Sequence, residues 1–120
     1  MSRRPVTLAT GEIYHIFNRS IARQPIFTGK KDSQRFLELV DYYRFYNPPL
    51  RYSHYHRLPT EKRVSLLENL YENGKTVVEI YSFSFMPNHF HLLIKQLREN
   101  GIKLFASQIQ NSYARYFNTR

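Results

Sequence analysis

Residues 76–96 read TVVEIYSFSFMPNHFHLLIKQ, and this stretch decides the fold. β-branched and aromatic residues dominate on both sides of a central Pro-Asn pair, a combination typical of two strands joined by a tight turn. We therefore predict strands over residues 76–86 and 89–96, paired as a β-hairpin. Because side chains alternate between the two faces of a strand, Val78 and Phe83 are expected on opposite faces of the first strand.

The flanking segments complete an α+β pattern. Residues 12–19 predict a further strand, and apolar residues at helical spacing predict helices over residues 32–46, 60–71 and 101–118. Residues 50–58, which are aromatic and basic, are interpreted as an inserted loop. The order strand, helix, extra helix, strand, strand, helix is most of a β-α-β-β-α-β pattern. We expect a ferredoxin-like or RRM-like sandwich, with an antiparallel sheet, helices on one face and the last strand missing.

The composition suits a nucleic-acid partner. The chain has 120 residues, which predicts a single domain over residues 1–120. Lys and Arg number 18 against 9 acidic residues, and aromatic residues make up 16% of the chain. Cations neutralise phosphates and flat rings stack on unpaired bases, so this combination is compatible with binding of single strands. The alternative is a basic protein whose rings simply form its core.

Other features of the composition narrow the class of protein. The absence of cysteine excludes disulfides and thiolate metal sites. No apolar run reaches the length of about 18 residues that indicates a membrane span. The basic start of the chain is not followed by the apolar stretch of a signal peptide. We therefore expect a cytoplasmic protein without a membrane partner.

The strongest candidate site is the His-Phe-His triplet that opens the second strand of the hairpin. His89 and His91 are expected on one face of that strand, with their backbones about 6.5–7 Å apart. Two imidazoles at this spacing can chelate one divalent cation. Phe90 points to the other face, where Leu92 and Ile94 continue an apolar surface suited to packing against helices. The alternative is a chance pair, because His-x-His sequences also arise without a metal.

Three stretches of the chain resemble one known family. Residues 85–94 (FMPNHFHLLI) resemble the His-hydrophobe-His motif of the single-tyrosine HUH transposases of the insertion-sequence type, in particular the REP-associated branch. Residues 14–19 (YHIFNR) resemble the first strand of that family, and residues 108–118 (QIQNSYARYFN) resemble its second main helix. The resemblance covers nearly the whole chain, apart from the region near residues 47–60.

The resemblance implies an enzyme that cuts and rejoins single-stranded or hairpin DNA through a 5′-phosphotyrosine intermediate. It also implies His89 and His91 as ligands of Mg²⁺ or Mn²⁺, and a homodimer as a further partner. In the family, the nucleophilic tyrosine and a third polar ligand lie on a helix that follows a fourth strand. We therefore expect both beyond Arg120, in a transposase domain that is incomplete at its C-terminus. Tyr116 and Tyr113 are the weaker candidates for the nucleophile within the chain.

Polar, basic and aromatic residues near the predicted site are candidates for contact with DNA: Asn18, Arg19, Arg23, Lys30, Lys31, Lys95, Arg115 and Tyr116. For the cations, the alternative is a solvated surface. His15 is expected either to orient a metal-bound imidazole or to be a hydrogen-bonded histidine of the core or rim. The rings and cations of residues 50–58 are expected either to be exposed without a ligand or to bind bases and phosphates.

Different functions remain compatible with these residues. One is a transposase that nicks and rejoins single-stranded DNA. Another is a binding module for single-stranded nucleic acid without chemistry, because the segment expected to carry the nucleophile is not in the chain. A metal hydrolase unrelated to DNA would need a carboxylate or a further histidine near the His pair, for which only Glu79 and Asp32 are taken as candidates.

Overall fold

The structure, a computed structural model, describes residues 7–19 and 25–120. Within these ranges the chain forms three strands and four helices, which in chain order are β1 (Ile13–Arg19), α1 (Lys30–Tyr43), α2 (Tyr52–His56), α3 (Thr60–Asn73), β2 (Val78–Met86), β3 (His89–Gln96) and α4 (Gly101–Thr119). The sheet order is β1-β3-β2. The predicted α+β class is confirmed, with an open antiparallel sheet compatible with a ferredoxin-like fold. None of the described helices is long and apolar enough to cross a membrane.

β3 is the central strand, and its alternating side chains divide the sheet into two faces. It pairs antiparallel with β1 on one side and with β2 on the other. Phe90, Leu92 and Ile94 are buried in the core that the sheet shares with the helices, as predicted. His89 and His91 project from the opposite face and are only partly buried. We refer to this surface, which carries His89 and His91, as the open face.

A β-bulge corrects the predicted faces of β2. The register of β2 against β3 shifts by one residue between Ile80 and Ser82. Beyond this shift, Phe83 and Phe85 lie on the same face as Val78, on the helical side of the sheet. The prediction that Phe83 and Val78 would lie on opposite faces was wrong, because strict alternation fails where a strand contains an extra residue. The bulge leaves small serine side chains on the open face beside β3.

Residues 50–58 contain the short helix α2, and the prediction of an inserted loop was wrong. The rings of Tyr52 and Tyr55 are buried, with their centres 5.3 and 5.0 Å from that of Tyr42. The backbone N–H of Tyr52 donates to the hydroxyl of Tyr43 over 2.9 Å. Residues three apart lie on one side of a helical turn, so both rings of α2 anchor in the core. The basic residues of this segment stay exposed on the outside of α2.

α4 begins at a close contact with the chain before β2. An added Cβ at Gly101 would lie 2.4 Å from the carbonyl oxygen of Val77, so this position requires glycine. Phe105 and Ile109 are fully buried on the side of α4 that faces the sheet. The contact at Gly101 therefore fixes where α4 starts and which of its side chains reach the end of β1.

Candidate metal and nucleic-acid site

Three histidines meet on the open face, two from β3 and one from β1. Phe17 is opposite His91 in the β1–β3 register, which places His15 diagonally beside His91. Nε2 of His15 lies 2.8 Å from Nδ1 of His91, and the two ring centres are 4.9 Å apart. The ring centres of His89 and His91 are 5.0 Å apart. Strand pairing therefore brings the three rings together on a rigid surface.

In one tautomer of each ring, the hydrogen bonds of the two β3 histidines leave the same nitrogen for a metal. Nδ1 of His89 lies 2.7 Å from the carbonyl oxygen Oδ1 of Asn88, so Nδ1 carries the proton and donates. The lone pair of His89 is then on Nε2. When Nδ1 of His91 donates to His15, the lone pair of His91 is likewise on Nε2. Metal-bound histidines usually have this arrangement, in which a polar partner holds the other ring nitrogen.

The spacing of the pair fits a single cation. Two imidazoles that bind one metal at about 2.1 Å, near a right angle, have ring centres roughly 5 Å apart. The ring centres of His89 and His91 have this separation. Within residues 7–19 and 25–120, no group of three or more His, Asp or Glu residues is arranged to hold a metal. The described residues therefore offer two protein ligands, which leaves the other positions to water or to phosphate oxygens.

The surroundings of His91 favour its neutral form. Desolvation lowers the pKa of His91 below that of an ordinary histidine, and the charges of His15 and His89 lower it further. Metals bind the neutral imidazole, because protonation removes the lone pair. The lowered pKa thus keeps His91 ready to act as a ligand at a lower pH than an ordinary histidine would allow.

An exposed phenyl ring lies beside the histidines. The side chain of Phe17 is 61% exposed, and its ring centre is 5.8 Å from that of His91 and 5.5 Å from that of His15. Such a ring can stack on an unpaired base. The sequence analysis missed Phe17, although its position two residues after His15 in a strand places both on one face. Other large exposed apolar residues of this face are Ile13, Met86 and Leu93.

Lys95 shares the open face but lies farther along β3. It is four residues from His91, which is about 13 Å in a strand, so the two would contact different phosphates. Glu79 is opposite Lys95 in the register, and Asp32 lies in α1 on the helical side. Neither carboxylate is therefore close to the His pair.

Asn18, Arg19 and Arg23 are the predicted DNA-contact residues at or after the end of β1. Asn18 lies on the helical side, where its Nδ2 donates to Oε1 of Gln110 over 3.1 Å. The backbone of Arg19 is opposite His89 in the register, at the end of the strand nearest the site. Arg23 lies outside the described residues. Of the two described residues, Arg19 is the one whose backbone is opposite a histidine of the pair.

The remaining DNA-contact candidates lie on the helical side. Lys30, Lys31 and Tyr116 line one cavity between α1 and α4. Arg115 and Tyr116 line the adjoining cavity beside α2. The sequence analysis placed these residues in one set with Lys95, but the sheet separates them from the open face.

Neither tyrosine proposed as an alternative nucleophile lies on the open face. Tyr113 is buried in the helical layer, and its hydroxyl donates to the carbonyl oxygen of Ile26. The hydroxyl of Tyr116 donates to Oδ1 of Asp32 over 2.8 Å. Burial raises the pKa of both Tyr113 and Tyr116 above the usual tyrosine value. Both hydroxyls are therefore held protonated, on the other side of β3 from the His pair.

The open face thus combines three histidines with an exposed ring, and the helical side carries most of the other candidates. We compared the whole chain with known families, curated proteins and solved structures. None of them matches the chain.

Proposed function

We propose that this chain is the single-stranded DNA-binding domain of a transposase-type enzyme that cleaves and rejoins DNA through a 5′-phosphotyrosine intermediate. The observation that carries the proposal is the arrangement of His89 and His91, whose ring centres are 5.0 Å apart on an exposed sheet surface. When both Nδ1 atoms donate in these hydrogen bonds, each ring keeps its Nε2 lone pair for a cation that the two rings could share. The resemblance of residues 85–94 supplies the class of reaction.

The rings of the open face favour a single strand over a duplex. Phe17 presents an exposed ring beside the His pair, and unpaired bases can stack on it. The bases of a duplex are already stacked on one another and offer no free face to such a ring. A single strand lying on the open face would also place its phosphates within reach of the metal.

A divalent cation on His89 and His91 would act as a Lewis acid on a non-bridging oxygen of the scissile phosphate. Imidazole ligands favour Mn²⁺ over Mg²⁺, although both suit water and phosphate oxygens as the remaining ligands. His15 would hold the ring of His91 through Nδ1 and so leave Nε2 for the cation. Phe17 would position the base next to the scissile phosphate.

The second candidate function is a binding module without chemistry. It is favoured by the positions of Tyr113 and Tyr116, whose hydroxyls both donate to acceptors on the helical side. Cleavage therefore needs a hydroxyl other than those of Tyr113 and Tyr116. In a module without chemistry, the open face would bind single strands and the cation would only bridge a phosphate to the sheet.

DNA binding by the open face is tested by removing one ring from each side of the sheet. Phe17→Ala removes the ring beside the His pair, and Phe83→Ala removes a ring of comparable exposure, 52% against 61%, on the helical side. We expect Phe17→Ala to weaken binding of a labelled oligothymidine by about 1–3 kcal/mol, the usual contribution of one stacked base. Fluorescence anisotropy should show no change for Phe83→Ala. Equal affinities of the two variants would exclude the open face as the binding surface.

The chemistry is tested on a denaturing gel. The chain is incubated with hairpin DNA and Mn²⁺, and a covalent adduct that disappears in His91→Ala would support cleavage by this chain. Binding without an adduct would support the module. An adduct that persists in His91→Ala would contradict the role of the His pair.

A further inference from the structure

A continuous groove on the helical side has no role in the proposed function. It consists of three adjoining cavities of about 620, 450 and 260 Å³. The first and second cavities share Arg35, His56 and Tyr116, and the second and third share Arg51 and Arg115. We name this surface, between α4 on one side and α1 and α2 on the other, the helical groove.

The helical groove is strongly basic. Its lining includes the cations Lys30, Lys31, Arg35, Arg51, Arg57 and Arg115. Among the described residues, the one ion pair in the groove joins Arg120 to Asp32, over 3.2 Å. The second carboxylate of the groove, Glu38, accepts a hydrogen bond from the hydroxyl of Tyr52 over 2.8 Å. The six other cations are thus without a carboxylate partner in the described part of the chain and suit a polyanion.

The tyrosine rings of the helical groove are buried or partly buried, unlike Phe17 of the open face, and the imidazole of His56 is the one exposed ring among its described lining residues. The guanidinium of Arg35 lies 4.5 Å from the ring centre of Tyr116 and 5.2 Å from that of Tyr52. None of the large apolar side chains that are exposed in the described ranges lines the groove. A membrane surface would require exposed apolar anchors, and an unpaired base would require an open ring. The described part of the groove therefore offers mainly charge, with no exposed apolar anchor and only the imidazole of His56 as an exposed ring.

We propose that the helical groove binds the sugar-phosphate backbone of double-stranded DNA. It follows α4 from Gln108 to Arg120, which is about 18 Å at 1.5 Å per residue. Along the axis of a duplex, this length corresponds to roughly five nucleotides of one strand at a rise of about 3.4 Å each. Since a duplex has a higher charge density than a single strand, a basic surface with few exposed rings favours the duplex.

The identity of the polyanion as DNA rests on the proposed function, and the groove extends that function to a second surface. A duplex would lie against the helices, while an adjoining single strand would pass to the open face. DNA that contains both parts would bind more tightly than either part alone, because the first contact raises the local concentration of the second.

The inference is tested by a pair of double variants that remove the same charge. Arg57→Gln/Arg115→Gln removes two exposed cations of the helical groove, and Lys62→Gln/Lys103→Gln removes two exposed cations elsewhere. The groove variant should weaken binding of a blunt DNA duplex at least about tenfold at low salt, and lower the slope of log K against log salt by about 2. The control variant should keep the wild-type slope. Both should bind oligothymidine like the wild type, and thermal melting should verify that both are folded.

The possible outcomes separate this inference from the proposed function. Equal losses of duplex affinity in the two variants, or no duplex binding by the wild type, would overturn the groove assignment. A groove variant that loses affinity for phosphatidylserine vesicles but not for duplex would assign the groove to lipid and also overturn it. If groove-dependent duplex binding is found but Phe17→Ala leaves oligothymidine binding unchanged, the groove assignment stands and the role of the open face fails.

Discussion

The open face and the helical groove use the same kinds of residue in opposite ways. On the open face, Phe17 is exposed and the cation Lys95 lies apart from the His pair. In the helical groove, Arg35 lies over the ring of Tyr116, and the exposed residues include the cations Lys30, Lys31, Arg51, Arg57 and Arg115. A basic, Tyr- and Phe-rich composition therefore does not define one nucleic-acid surface. The fold sorts the rings and charges into a surface suited to bases and a surface suited to phosphates.

The largest expected effect is a loss of Mn²⁺ affinity, and it tests whether the open face alone binds the metal. His91→Ala should lower the affinity for Mn²⁺ by more than about 100-fold, because even changes to the outer partners of ligands reduce affinity 10–100-fold. His54→Ala removes an exposed histidine on the helical side and should leave the affinity unchanged. Isothermal titration calorimetry measures both. Unchanged Mn²⁺ binding by His91→Ala would remove the cation from the open face.

Asp32, which lines the helical groove, should contribute to the free energy of unfolding. Asp32 is 3% exposed and accepts hydrogen bonds from the backbone N–H and hydroxyl of Thr28, over 2.9 and 2.7 Å. Its other oxygen accepts from Tyr116 over 2.8 Å. Asp32→Asn places an amide N–H₂ against one set of these donors and should lower the free energy of unfolding by about 1–3 kcal/mol. Asp41→Asn, at a carboxylate whose side chain is 47% exposed, should have a smaller effect in urea denaturation.

Asp32→Asn should also change how the free energy of unfolding depends on pH in the acid range. Burial raises the pKa of Asp32, but the hydrogen bonds from Thr28 and Tyr116 and the charge of Arg120 outweigh burial and lower it below the model-compound value of 3.8. A carboxyl with a depressed pKa stabilises the fold above its unfolded pKa and loses that contribution as pH falls through the folded pKa. Wild-type protein should therefore lose more stability below about pH 4 than Asp32→Asn does. Parallel losses would show that Asp32 is not the group responsible.

A smaller change on the open face tests the hydrogen bond between two histidines. His15→Phe removes the partner of His91 Nδ1 and should lower the affinity for Mn²⁺ about tenfold. His15→Gln keeps a polar group at a similar reach and should retain most of the affinity. If the two variants bind Mn²⁺ equally well, His15 does not orient the ring of His91.

The smallest expected effect is an opposite pH dependence of the two surfaces. Acid pH should weaken Mn²⁺ binding by the open face and strengthen duplex binding by the helical groove. As pH falls through the lowered pKa of His91, Mn²⁺ should leave the open face, because the protonated ring has no lone pair. Burial also lowers the pKa of His56, and the charges of Arg35 and Arg63 add to that shift. Protonation of His56 at acid pH adds a cation to the helical groove, so duplex binding should strengthen and its salt slope should rise by about 1. If both affinities fall together with pH, the two surfaces do not titrate independently.

Much of the fold followed from local patterns in the sequence. The hairpin, β1 and the three longer helices lie within a few residues of the predicted ranges, because each has the apolar spacing of its own secondary structure. The faces of β2 could not be predicted, since the bulge between Ile80 and Ser82 is a property of strand pairing. α2 was missed because its buried rings, Tyr52 and Tyr55, have the composition of a surface patch.

The candidate site could also be predicted from the sequence only in part. The common face of His89 and His91 follows from a spacing of two residues within one strand. The contact between His15 and His91 depends on the β1–β3 register, which a single sequence does not specify. The sequence predicts the cations as one set of DNA contacts because they are the same type of residue. In the folded protein, the sheet separates Lys30, on the helical side, from Lys95, on the open face.

His15 and His91 are 76 positions apart in the sequence, whereas β2 and β3 are joined by a two-residue turn. A hairpin can form from a local segment in microseconds, but β1 must close a long loop to join it, and the entropy lost on closure grows with loop length. In the described sheet β1 also has a single neighbouring strand. A local opening that peels β1 away would carry His15 and Phe17 off together and leave His89 and His91 on an intact hairpin. The lifetime of β1 pairing, which amide hydrogen exchange reports, therefore sets how long the complete site persists.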